Sequence, residues 1–99
     1  MRQFAVHRLK NRSDQLVVIL QHDGVGDLAT RVVAPLSANS AGRAMERVRI
    51  AVDLDGSEYV VQLDRMAAVE TREIGGACGS LDKFEQSVKN GIDLLLFGV

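Results

Sequence analysis

The apolar residues of this chain change period once. Up to Ile74 they alternate in short blocks separated by turn residues, and then Leu81, Phe84, Val88, Ile92 and Leu95 step by 3, 4, 4 and 3. Alternation is the pattern of a strand with one face buried, and the second spacing is one face of an α-helix. The pattern therefore predicts a mainly β fold built of hairpins, with a single C-terminal helix. At 99 residues the chain reads as one domain, 1–99, with a modest core of the kind that dimerisation often supports.

The strand region divides at its turn chemistry. Phe4 to Leu9 alternates, Asn11-Arg12-Ser13-Asp14 is a polar turn, and Leu16 to Leu20 is a β-branched run suited to burial on both faces. These segments predict a first hairpin. Asp23-Gly24-Val25-Gly26-Asp27 reads as a loop, and Thr30 to Leu36 as a strand with Pro35 near its end or on a sheet edge. Ser37 to Gly42 is small and polar, so it reads as a loop. Arg47 to Leu54 and Glu58 to Leu63 flank Asp55-Gly56, a dipeptide that favours a two-residue hairpin turn. Asp64 to Ala68 suggests one helical turn, Val69 to Ile74 a last strand, and Gly75-Gly76 a break.

For the helix, Ser80 is the expected N-cap, and Asp82 suits the first turn. Gly91 in its interior costs about 1 kcal/mol relative to Ala, which points to a close backbone approach. Leu94, Leu96 and Phe97 spread apolar character around the helix end. Leu94 to Val99 is too short to cross a bilayer, which takes roughly 20 apolar residues. This apolar end either closes the chain's own core or meets another protein.

Composition excludes several functions. A net charge of -1 disfavours non-specific nucleic-acid binding, and three Phe, one Tyr and no Trp make a base-stacking platform a poor reading. The single Cys78 forms no internal disulfide, so the chain needs no oxidising compartment and reads as cytoplasmic. Residues 1–10 lack the apolar core of a signal peptide. His7, His22 and Cys78 show no zinc spacing. Gly24-Val25-Gly26 lacks the third glycine, the lysine and the following helix of a phosphate loop. Asp53, Asp55 and Glu58 cluster at a hairpin, where paired carboxylates could do acid-base work, but turn chemistry is a sufficient explanation of Asp55-Gly56. Arg31, Arg43, Arg47 and Arg49 make either a solvated face or a surface for an acidic peptide. No cofactor is expected.

The run Val88-Lys89-Asn90-Gly91-Ile92-Asp93-Leu94-Leu95-Leu96-Phe97-Gly98-Val99 resembles the end of the CcdB toxin family. Gln3-Phe4-Ala5-Val6, Arg31-Val32-Val33-Ala34-Pro35-Leu36 and Asp64-Arg65-Met66-Ala67-Ala68-Val69 are similar to other segments of that family, so the resemblance runs end to end. It implies a strongly curved antiparallel sheet with a smaller sheet wing and one C-terminal helix, shared with the MazF and Kid ribonuclease toxins. It also implies a homodimer that is not an enzyme. Such a toxin binds the A subunit of DNA gyrase and traps the enzyme on cleaved DNA. A CcdA-like antitoxin reverses this, operator DNA is bound only together with that antitoxin, and such pairs serve in plasmid maintenance.

By position, the resemblance assigns the gyrase contact to Phe97, Gly98 and Val99, with Asp93 one turn earlier and Val25 in a second loop. The family has Trp where this chain has Phe97, Asn where it has Asp93, and an apolar residue where it has Gly24. Val88, Ile92 and Leu95 read as core or dimer packing. Two further readings keep the fold: a non-toxic or retargeted antitoxin-binding module, and a MazF-like endoribonuclease, which would need a basic groove with a general acid and base.

Overall fold

A computed structural model describes residues 1–25, 28–38 and 48–98. Its strands are β1 (Ala5–Leu9), β2 (Leu16–Ile19), β3 (Thr30–Ala38), β4 (Arg49–Leu54), β5 (Ser57–Gln62), β6 (Ala67–Glu70) and β7 (Ile74–Ser80), followed by helix α1 (Glu85–Phe97). Short 3-10 turns occupy Leu63–Arg65, Thr71–Glu73 and Asp82–Phe84. All pairings are antiparallel, in the order β4-β5-β3-β2-β1-β7, with β6 beside β3. This is the mainly β, antiparallel architecture with a C-terminal helix that the sequence predicts.

Alternation sorts the side chains of β2 onto two faces. Leu16, Val18 and Leu20 enter a core with Phe4, Val6, Leu36, Val61, Leu63, Leu81 and Val88, while Val17 and Ile19 join Val33 and Ile74 in a smaller cluster. All four residues of β2 are buried, so the expectation of a strand covered on both faces holds. The β4–β5 turn has φ of 52° at Asp55 and 86° at Gly56, the left-handed pair that a type I′ turn requires. Asp53 Oδ1 accepts the Gly56 N–H at 2.9 Å, so this carboxylate closes a turn.

β3 is longer than its sequence suggests and forks. Thr30–Val33 pair with β6, and Leu36–Ala38 pair with β5, so the β4–β5 hairpin extends the same sheet from the far half of β3. Ser37 and Ala38 therefore belong to a strand rather than a loop. Pro35 is interior to the strand and not near its end. Having no N–H to donate, it falls in the gap where β3 changes partner.

The greatest departure is β7. The expected last strand, Val69 to Ile74, divides into β6, a 3-10 turn and the first residue of β7, and the glycines expected to break the pattern form a seven-residue strand against β1. Glycine is needed there for space. A Cβ at Gly75 would lie 2.8 Å from the Arg8 carbonyl oxygen, and one at Gly79 would lie 2.5 Å from Leu54 Cδ1. The second contact shows the curvature of the sheet, because β7 and β4 stand at opposite ends of the strand order. The sheet curls until its outer strands touch through a side chain and a bare backbone.

Candidate functional site

α1 packs through the start of its apolar seam. Leu81 and Val88 are fully buried, Phe84 and Ile92 pack against the core, and Gly91 is buried in the helix interior. Ser80 Oγ accepts the Asp82 N–H at 3.2 Å. The serine thus braces the entry to the 3-10 turn but is not the expected N-cap of the α-helix, a position held by Phe84, and Asp82 lies in the 3-10 turn. The solvent face is held by Lys89–Glu85 and Gln86–Asn90 contacts at i, i+4 spacing.

Beyond Ile92 the seam leaves the core. Leu95 is 39% exposed, Leu96 57% and Phe97 72%, an apolar tip that the chain does not cover with itself. Gly98 follows at φ 74° and donates its N–H to the Leu94 carbonyl at 3.1 Å, a left-handed helix cap open to glycine at little cost. The chain is therefore turned off the helix axis immediately after the aromatic. Asp93, one turn before Phe97 and on the same side, is exposed. No basic residue occupies the last turn, so Asp93 adds its charge to the negative end of the helix dipole. An acidic, apolar tip of this kind is poorly arranged for helix stability.

Val25 stands in the turn after β2. It is 47% exposed, and its N–H donates to the His22 carbonyl at 3.1 Å. The helix rests on β4 and the Leu63–Arg65 turn, so the structure displays Val25 and Phe97 from separate elements. Val99, Gly26, Asp27, Arg43 and Arg47 lie outside the described residues, as does the 39–42 part of the predicted loop.

The remaining candidates have structural partners. His7 is buried, with Nδ1 2.8 Å from the Gly75 carbonyl oxygen. Arg31 caps the Leu28 and Thr30 carbonyls. Arg49 binds Asp64 through two nitrogens at 3.3 and 3.0 Å, and that hydrogen bonding holds the Asp64 carboxyl below the usual carboxylate range. No cluster of three metal-ligating side chains occurs among the described residues. A feature invisible in the sequence is a groove of about 450 Å³ on the second sheet face. Leu9, Val17, Val33 and Val69 line it together with Arg12 and Arg65. Its parts come from β1, β2, β3 and β6, and no single motif announces it.

Comparison with known proteins fits this geometry. Residues 3–98 match the family model described as CcdB protein. The chain belongs to the CcdB family. As a CcdB-family protein it is the toxin of a toxin–antitoxin system, with an antitoxin as its implied partner. Among solved structures it is similar to the Mycobacterium tuberculosis toxin MazF-mt6, at 21% identity and a TM-score of 0.74, over 90% of this chain and 92% of that one. That likeness places CcdB and MazF toxins on one fold. No curated protein sequence gives a significant match.

Proposed function

We propose that this CcdB-family toxin acts by binding rather than catalysis: it inserts the tip of α1 into the DNA gyrase A subunit and holds the enzyme on cleaved DNA. The observation that supports the reading is Phe97, an aromatic 72% exposed at a helix end and followed at once by a glycine turn. Exposed aromatics serve as interface anchors because they bury much area for little conformational entropy. Gly98 lets the chain leave the axis, Val99 adds apolar contact, Asp93 offers a carboxylate beside the ring, and Val25 supplies a second apolar contact. The negative charge of the tip favours cationic groups on the target.

A homodimer presents two such tips, and Leu95 and Leu96 are available to pack between copies. The neutralising partner is a CcdA-like antitoxin, with which the toxin binds operator DNA. An acidic segment of such a partner would suit Arg12 and Arg65, which line the groove. The setting is cytoplasmic, and among the described residues no helix is long and apolar enough to cross a membrane.

The test is incubation with gyrase, supercoiled DNA and ATP, followed by denaturation. Linear DNA formed by the full chain, but not by a chain lacking residues 97–99, is expected. Absence of linear DNA with gyrases of several sources would favour a non-toxic or retargeted antitoxin-binding module, to which Phe97, Asp93 and Gly24 point as departures from the family pattern. RNA cleavage by the purified protein would instead favour the MazF-like ribonuclease reading.

A further inference from the structure

The turn that displays Val25 is closed by a backbone bond, Val25 N–H to the His22 carbonyl, and by a side chain. His22 Nδ1 lies 2.9 Å from the Gly24 nitrogen. A backbone N–H can only donate, so Nδ1 is the acceptor and the ring is neutral, with its proton on Nε2. A Cβ at residue 24 would sit 3.1 Å from Nδ1 and 3.4 Å from Cε1, so a larger residue would push the imidazole back by a few tenths of an ångström. The departure of Gly24 from the family's apolar residue thus has a local reason: it makes room for the imidazole.

The base of the turn is fixed separately. Asp23 Oδ1 accepts the Gln3 N–H at 2.6 Å, and Gln3 Nε2 donates to the Leu20 carbonyl at 2.9 Å. Asp23 follows His22 in the chain, and its carboxylate is engaged with the N-terminal segment. At the tip, the Gly24 N–H is held by the His22 ring and the Val25 N–H by the His22 carbonyl at 3.1 Å.

We propose that His22 is a positioning residue for the Val25 contact: its neutral imidazole holds the Gly24 N–H beside Val25, and protonation at Nδ1 releases it, leaving the turn on its backbone bond alone. Protonation replaces the accepting lone pair with a second donor, so two N–H groups then face each other across 2.9 Å. Histidine is the side chain whose charge changes between about pH 5 and 8. The effect on the target rests on the gyrase reading above, whereas the behaviour of the turn does not.

The experiment follows backbone amides and the His22 ring by NMR between pH 8 and 5, in the natural chain and in His22→Asn. An Asn carbonyl can accept the same N–H and does not titrate. The Gly24 and Val25 amides are expected to move with the midpoint of the His22 ring, and to stay still in His22→Asn. Gyrase binding measured in parallel should weaken about fivefold more in the natural chain than in the variant on acidification, the loss of one neutral hydrogen bond of about 1 kcal/mol. Amides that ignore the ring titration, or that move equally in His22→Asn, overturn the proposal. Titrating amides with identical gyrase binding in both chains overturn the positioning role alone. Failure of both chains to bind gyrase at any pH counts against the gyrase reading, and the amides still decide the turn.

Discussion

At the scale of single residues, exposure separates function from stability. Phe97 touches little of its own chain, so Phe97→Ala should change unfolding free energy by less than about 0.5 kcal/mol while abolishing gyrase-dependent DNA cleavage. Urea denaturation and the cleavage assay on one preparation check both halves, and equal loss in the two would return Phe97 to a structural role. Phe97→Trp should bind gyrase more tightly, because indole buries more area and adds an N–H donor. Asp64 illustrates a linkage with a definite sign. Arg49 holds its carboxyl below the ordinary aspartate value of 3.8. The pair therefore stabilises the fold above that pH, and its contribution is lost as pH falls through the lowered folded value. Asp64→Asn should cost under about 1 kcal/mol at neutral pH, given how exposed the pair is, and nothing once Asp64 is protonated. Urea midpoints of the two chains that stay equally separated down to pH 2 would contradict this.

At the scale of elements, legibility followed local chemistry. Asp55-Gly56 announced its turn because type I′ geometry is a property of two residues. The helix announced itself by period, as far as Ile92. β7 was missed because glycine's sequence signal is the same whether it breaks a strand or admits a close neighbour. The difference lies in Arg8 and Leu54, which approach only in the folded chain. Gly75→Ala should therefore destabilise the protein by about 1–3 kcal/mol, since the new methyl meets a backbone carbonyl that cannot swing away. Gly76→Ala, with nothing within 4 Å of its Cβ, should be tolerated. Thermal unfolding of the two variants gives the comparison, and similar losses would mean that β7 is held by something other than this close approach.

At the scale of the whole molecule, the curled sheet buries its two clusters but leaves the helix tip bare. A homodimer would cover part of that surface, and the unfolding midpoint should then rise with protein concentration. Sedimentation equilibrium should give twice the chain mass, and a concentration-independent single-chain mass would refute the dimer. The sequence by itself determined the first hairpin, the Asp55-Gly56 hairpin and the C-terminal helix, and which family the C-terminal pattern resembles. These are local matters of period, turn preference and ordered motif. Tertiary structure alone decided the fork in β3, the contact between β4 and β7, and the positive φ of 68° at Phe4, a strained position for a bulky residue. Phe4 is held there by its burial and by backbone bonds to Ile19 and Leu81. It also decided that Leu95 leaves the core although its spacing matches Val88 and Ile92. Each of these depends on which distant backbone arrives beside a residue, and the helical or strand period of a sequence does not encode that arrival.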